Sequence, residues 1–391
     1  MSIGMLPPAG DPVVLGDDQA ANARLWRQWL PYQPALYASG TAALAAAVTA
    51  ALATGHGRTE VVLPGYGCPA LVSAVLHAGG RPVLVDLEPE RPWLSRQALE
   101  AVLGPRTAAV VAVSLLGIPE RLAMPRKAAD QAGALLIEDS AQAYPPAGLA
   151  NGSADLVVLS LGRGKPVSLL GGGIVLCRDL RLAARLPAPQ PPAGSRWRLR
   201  AKAAAYNLLR RPQLYWIPEL LPLGLGETRY QPLHGLAAMD QVRQQLLGAA
   251  VERYLQQQEQ RIRSLLGRRL AGFAGELVDL AALCAPQRRL LRYPLLAPTP
   301  VLADRLAQAL RRAGLGATRM YGTALPEVPG LPQGIAGGEL PQARDFAARL
   351  LTLPVHQGVT GVHVERMLAV IGAVLGEPDG RRVEDWAEKQ G

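Results

Sequence analysis

From Ala35 onward, short apolar runs alternate with amphipathic stretches. Glu60-Val61-Val62-Leu63, Pro82-Val83-Leu84-Val85, the run from Ala108 to Val113, and Leu135-Leu136-Ile137 each read as a strand with no polar face. Helical spacing starts between them at Cys68, at Ser95 and near Arg121–Gln131. Strands apolar on both sides and separated by helices predict a parallel sheet covered on both faces. Two more runs, Leu156-Val157-Val158-Leu159 and Gly173-Ile174-Val175-Leu176, have no helical pattern between them and predict a hairpin-like pair. Residues 1–34, rich in Pro, Gly and Asp with one amphipathic piece from Asn22 to Leu30, read as an N-terminal arm. A long helical pattern runs from Leu236 to about Leu270. Beyond it a strand-like piece, Leu290 to Leu296, and helical pieces at Val301–Ala313, Pro341–Leu351 and Val362–Gly376 predict a smaller α/β domain. The expected division is an arm at 1–34, a large domain at 35–248 and a small C-terminal domain at 249–391.

Composition narrows the classes. A chain of 391 residues, 49% hydrophobic and 18% charged, has the apolar content that disordered chains lack. Aromatics at 5% argue against a base-stacking platform for single-stranded nucleic acid. Lys and Arg (41) exceed Asp and Glu (31) by 10, but the excess is local. Arg181, Arg185, Arg196, Arg198, Arg200, Lys202, Arg210 and Arg211 lie between Leu180 and Pro218 with no acid among them. The rest of the chain is nearly neutral, which argues against a whole-surface nucleic-acid binder. This basic insertion, 187–226, has three readings: a solvated loop, an element that binds a diphosphate or crosses a dimer, or a weak contact of 196–218 with an anionic membrane surface. The last rests on Trp197, Tyr206, Leu208, Leu209, Leu214, Tyr215, Trp216 and Ile217 interleaved with Arg. Three scattered cysteines give no disulfide framework and no CxxC pair, and five histidines show no metal-ligand spacing. Met1 to Gly10 has no basic start before an apolar run, so a cytoplasmic protein is expected.

The chemistry begins with lysine, of which there are four: Lys127, Lys165, Lys202 and Lys389. Lys165 alone sits in a glycine-rich loop, Ser160-Leu161-Gly162-Arg163-Gly164-Lys165-Pro166, after an apolar run and before Gly171-Gly172-Gly173. Pro166 after the lysine rules out a Walker A loop, and no helix start follows Gly162-Arg163-Gly164 as a dinucleotide-binding turn requires. Glu138 and Asp139 follow the apolar run Leu135-Leu136-Ile137, and ligands of open parallel sheets gather at strand carboxyl ends, where Asp139 is expected. Ser39-Gly40-Thr41-Ala42 opens a long Ala-rich helix, where free amides and the helix dipole attract phosphate. Each feature alone suits a cap or a solvated loop. Together, a phosphate-type helix start, an aspartate ending a later strand, and a lysine preceded by Ser160 form what pyridoxal 5′-phosphate requires. The helix start and Ser160 take the phosphate, Asp139 pairs with the pyridine nitrogen, and Lys165 forms the Schiff base and then shuttles the proton.

Read end to end, the chain resembles the sugar aminotransferases of the DegT/DnrJ/EryC1/StrS group. The matching pieces include SGTAAL (39–44), VVLPGYGCPA (61–70), RPVLVDLEPE (81–90), SLLGIPE (114–120), LLIEDSAQA (135–143), LSLGRGK…GGG (159–173), LRRAGLGATRMYG (310–322) and LPQARDFAARLLTLPVHQGVT (340–360). The resemblance implies a fold type I, pyridoxal-phosphate-dependent transferase: an α/β protein whose large domain carries a mainly parallel seven-stranded sheet, with a smaller C-terminal α/β domain. It implies a homodimer with the active site at the subunit interface. The implied reaction moves an amino group, with glutamate the expected donor, to a keto sugar linked to a nucleotide diphosphate, in glycan or polysaccharide biosynthesis. It places Gln142 near the ring oxygen, and Gly40, Thr41, Ala42 and Ser160 on the phosphate. A related subgroup with histidine at the lysine position performs dehydration, so Lys165 favours transamination. The chain also departs from the group. Cys68 stands where an aromatic usually stacks on the ring, with Tyr66 a substitute. Arg229 stands near the element whose asparagine reaches the partner's phosphate. The alternatives are another pyridoxal-phosphate reaction on this scaffold, such as dehydration or elimination, and a membrane-surface scaffold without turnover. His356 is expected to have a structural role.

Overall fold

The computed structural model describes residues 5–16, 18–192, 196–217, 227–256 and 260–376. Parts of the basic insertion (193–195 and 218–226) and Lys389 lie outside the described residues. The strands in chain order are β1 (Gln33–Tyr37), β2 (Glu60–Pro64), β3 (Arg81–Val85), β4 (Thr107–Val113), β5 (Leu135–Asp139), β6 (Leu156–Ser160), β7 (Gly173–Cys177), β8 (Val278–Asp279), β9 (Tyr293–Leu296), β10 (Ala336–Gly337) and β11 (Leu350–Leu353). The main sheet runs β1-β7-β6-β5-β4-β2-β3-β10. Seven of its strands are substantial, and β10 is a two-residue addition beside β3. Only β7 runs against its neighbours, pairing antiparallel with β6 and β1. The predicted parallel sheet and the antiparallel β6–β7 pair are therefore both present, but the pair does not end the sheet, because β1 lies beyond β7.

Residue type explains each placement. Strands β2 and β4 are buried at every position, as strands covered on both faces must be. The helix Gly40–Thr54 is buried from Ala42 to Val48 and at Ala50 and Ala51. A helix apolar all round belongs inside, and its alanine methyls let it lie close against β6 and β7. Strand β1 was not anticipated, because Gln33 and Pro34 interrupt an apolar run. It sits at the sheet edge beside β7, where proline is tolerated. The helix expected from Cys68 starts at Ala70, with Pro69 at its N-cap.

The second sheet is β11-β9-β8, all antiparallel. The helix predicted over Pro341–Leu351 ends at Arg349, and Leu350–Leu353 is strand β11. Backbone pairing of this buried tetrapeptide with β9 overrides the helical spacing that its leucines share with the preceding turn. The N-terminal arm is tied onto this part of the molecule. Leu6 is buried, its amide donates to Gly314 O at 2.8 Å, and His356 Nε2 donates to Pro7 O at 2.9 Å. Nδ1 of His356 accepts from the Gly358 amide at 3.1 Å, so both ring nitrogens are used. Burial holds this imidazole down at about 4, neutral and structural. Among the described residues no helix is long and apolar enough to cross a membrane.

Candidate active site

Strands β1, β2, β4, β5 and β6 all end at the same edge of the sheet. The chain after β1 supplies Ser39, Gly40, Thr41 and Ala42. The chain after β2 supplies Tyr66 and Cys68, that after β5 supplies Gln142, and β5 and β6 themselves end on Asp139 and Ser160. Lys165 follows in the connection from β6 to β7. The predicted residues are thus brought together by strand direction, except Arg229.

The helix start is built for close approach. Ser39 is the N-cap, and its Oγ accepts from the Ala42 amide at 3.1 Å. The first amides of a helix have no acceptor inside it, and with the helix dipole they make such a start suited to an anion. Ser160 closes the other side. A Cβ on Gly40 would lie 2.5 Å from Ser160 Cβ and 2.6 Å from its Oγ, which only glycine avoids. A Cβ on Gly173, opposite Ser160 in the β6–β7 pair, would lie 2.1 Å from Ser39 O. Three segments distant in sequence therefore meet with no room between them.

Asp139 is buried at the end of β5, with Oδ1 accepting from the Ala141 amide at 2.9 Å. Burial pushes its carboxyl above the usual aspartate value. The Ala141 amide and the positive charge of Lys165 oppose that rise, and neighbouring Glu138 adds to it. Lys165 is therefore near enough to act on Asp139 through its field. The lysine's Cγ also lies 3.8 Å from the position a Cβ on Gly162 would take, and Ser160 Oγ accepts from the Gly162 amide at 3.4 Å.

Glu138 fixes the turn that carries these groups. Fully buried, it accepts from the Ala147 amide at 2.9 Å, the Gly148 amide at 2.7 Å and Ser140 Oγ at 2.7 Å. A buried carboxylate with this many donors is satisfied and rigid. Gln142 is held by the Leu116 amide, which donates to its Oε1 at 2.9 Å. That leaves the Gln142 Nε2 hydrogens to point into the site, where they meet Tyr321 Oη at 2.7 Å.

Tyr321 is the site residue that sequence reasoning missed. It lies in the left-handed region with φ 62°, after Met320 at φ 34°. Its phenol is pushed well above its ordinary value, first by burial and then by the nearby Cys68, Tyr66 and Asp139. The side chain of Cys68 also hydrogen-bonds Tyr321. Tyr66 stands behind it. Its ring meets those of Tyr321 and Phe346 edge-on at 5.7 and 5.2 Å, and its hydroxyl donates to Met320 O. The aromatic presented toward Cys68, Gln142 and Asp139 is accordingly Tyr321. The signal available was the RMYG piece of the 310–322 match, but a tyrosine far away in sequence gives no hint of its position. Arg229 is not drawn into this cluster. Its side chain is 70% exposed and lies 3.9 Å from Glu227.

With this geometry in hand, comparison with known proteins is direct. Residues 35–201 match the sequence model of the DegT/DnrJ/EryC1/StrS aminotransferase family. The chain is 35% identical over 153 residues to the UDP-2-acetamido-2-deoxy-3-oxo-D-glucuronate aminotransferase of Pseudomonas aeruginosa, covering 38% of this chain and 42% of that one. It is 28% identical over 340 residues to the GDP-perosamine synthase of Caulobacter vibrioides, covering 86% and 84%. At 34–35% identity, the chain matches about two fifths of the length of its curated relatives. In fold it is similar to Helicobacter pylori PseC, an aminotransferase involved in pseudoaminic acid biosynthesis, with a TM-score of 0.69 at 16% identity, covering 95% of this chain and 99% of that one. The matched stretch, 35–201, runs through the strand ends that carry Asp139 and Lys165, so in this part the chain is similar to the DegT/DnrJ/EryC1/StrS aminotransferase family, on a fold shared with a solved aminotransferase over nearly the whole chain.

Proposed function

We propose that this protein is a pyridoxal-phosphate-dependent aminotransferase that moves an amino group from an amino acid, glutamate in the first instance, to a keto sugar carried on a nucleotide diphosphate. One observation carries the reading: a buried aspartate, a loop lysine acting on it, and a helix start packed against Ser160 lie together at one sheet edge.

The residues fit the cofactor. Glycine at 40 lets the helix start pack directly on Ser160, so the start of the helix and a serine hydroxyl stand side by side, as a phosphate needs. The Asp139 carboxyl is buried and held high, so a cationic N–H donor would restore its charge. Gly40, Thr41, Ala42 and Ser160 would hold the phosphate, Asp139 the ring nitrogen and Gln142 Nε2 the ring oxygen. The bound group supplies a protonated ring that draws electrons from the carbon beside the transferred nitrogen.

The remaining work belongs to the chain. Lys165 Nζ would hold the cofactor covalently, its amine condensing with the aldehyde and releasing water, and the free amine would take a proton from one substrate carbon and return it to another. Asp139 would be drawn back to its charged form, against its burial, by a protonated ring nitrogen facing it. Glu138 keeps Asp139 and Gln142 in register by pinning the turn between them and Gly148. Tyr321, beside Cys68, Tyr66 and Gln142, would offer the aromatic surface that Cys68 lacks. Arg229 lies away from its own chain's cluster, which suits a contact with the partner's site in a homodimer.

Borohydride reduction of the cofactor-loaded protein, followed by peptide mapping, tests this. The label is expected on the peptide containing Lys165, and Lys165→Ala should abolish both label and amino transfer. Absence of label, or label on Lys127, Lys202 or Lys389, refutes the reading.

A further inference from the structure

Helix Arg196–Leu209 has two apolar sides. One is spent on the body of the protein. Leu199 and Ala203 are buried, and Ala203 packs with Val13 and Leu170. Asn207 exchanges two 2.8 Å hydrogen bonds with the backbone of Val13, Lys202 Nζ donates to Leu170 O at 3.3 Å, and Arg210 donates to Gly10 O at 3.1 Å. The helix is therefore fixed, and its other side faces out by construction.

The outward side is not what a solvated helix shows. At about 100° per residue, Trp197, Ala201, Ala204 and Leu208 fall within roughly 60° of one another, opposite Leu199, Ala203 and Tyr206. Trp197 is 68% exposed and Leu208 48% exposed. Arg198 and Arg200 flank this stripe, one on each side, and both are exposed. Arg196 and Arg211 lie exposed at its two ends, and beyond it Trp216 is 51% exposed. No acidic residue occurs from Leu180 to Pro218.

We propose that this face docks the protein on an anionic lipid bilayer, with Trp197 and Leu208 entering the headgroup region and the flanking arginines meeting lipid phosphates. The chemistry is complementary in both respects. Tryptophan, with its apolar body and one N–H, favours the membrane–water interface, and a run of basic residues without acids is drawn to negative lipids. Nucleic acid would use the arginines but has no need of an outward Trp–Leu stripe. The helix lies on the bilayer and does not cross it. It is also bonded to Leu170, in the same β6–β7 connection as Lys165, so docking would set the active edge close to the lipid surface.

Flotation of the full chain with phosphatidylcholine vesicles, with and without about one third phosphatidylglycerol, is the test. The protein should float with the anionic vesicles, bind the neutral ones at least about tenfold more weakly, and detach as salt rises. The pairs Trp197→Ala with Leu208→Ala, and Arg198→Gln with Arg200→Gln, should each weaken binding by about tenfold or more. All four side chains are exposed, so circular dichroism and the unfolding midpoint should match the parent. Sedimentation velocity and a DNA duplex serve as competing readouts. No preference for anionic vesicles, or parent-like binding by either pair, overturns the proposal. So does tight DNA binding that survives the Trp197/Leu208 pair, or loss in that pair of self-association alone.

Discussion

Gly40→Ala probes the tightest point of the site. The added methyl would lie 2.5 Å from Ser160 Cβ, where ordinary contact begins at 3.4 Å, so the helix start and β6 must part by about 0.9 Å. Ser160 Oγ can rotate away, but Ser160 Cβ cannot, because β6 is paired to β7 through Ser160↔Gly173. Gly173 in turn has no slack against Ser39 O. Overpacking of this kind costs about 1–3 kcal/mol of stability. The same displacement moves the Gly40 and Thr41 amides away from Ser160 Oγ by nearly an ångström, enough to break hydrogen bonds to a shared anion. Each such bond to a charged group is worth about 1.5–3 kcal/mol, so losing one lowers phosphate-dependent affinity by roughly tenfold or more. The assay is titration of the apoprotein with pyridoxal 5′-phosphate and, separately, with pyridoxal, followed by absorbance. The variant should lose most of the advantage that the phosphate confers, while pyridoxal binding changes little. Urea unfolding reads the stability loss in parallel. If the phosphate advantage stays within roughly twofold of the parent, the helix start does not hold the phosphate.

Asp139→Asn removes a carboxyl that burial disfavours, so the apoprotein should unfold at slightly higher urea, while affinity for the cofactor falls by roughly tenfold to a hundredfold with the loss of one charged hydrogen bond. Equal affinity in titrations of parent and variant would remove Asp139 from the ring nitrogen. Glu120 gives a pH test. Burial raises its carboxyl to about 7, against the amides of Leu94 and Arg121 that donate to it. The folded chain therefore holds this proton more tightly than the unfolded chain, and stability falls as pH climbs from about 4.5 through 7. The full penalty is roughly 3 kcal/mol at pH 8. Urea unfolding at pH 5 and pH 8 should show a larger drop in the parent than in Glu120→Gln, and parallel drops would refute the assignment.

Much of the fold was written in the pattern of apolar residues. Short, valine-rich runs without polar alternation, such as Ala108 to Val113, read as strands buried on both faces, and the helices between them favour parallel order. Asp139 could be placed at a strand end because the apolar run stops there, and Lys165 stood out because glycines crowd around it. These are local signals carried by neighbouring residues, and they survive folding unchanged. Strand β1 and strand β11 were not legible, since Pro34 and the helical spacing before Leu350 point elsewhere until a partner strand is present.

What only the tertiary structure decided are the contacts between segments far apart in the chain. Gly40 against Ser160, Tyr321 against Gln142, and the arm residues Leu6 and Pro7 against Gly314 and His356 are such contacts. So is the outward turn of Trp197 and Leu208, which depends on which side of their helix the body claims. Periodicity reports the face a segment can bury. Which of two apolar faces is buried, and which distant side chain closes a site, follow from packing the whole chain at once.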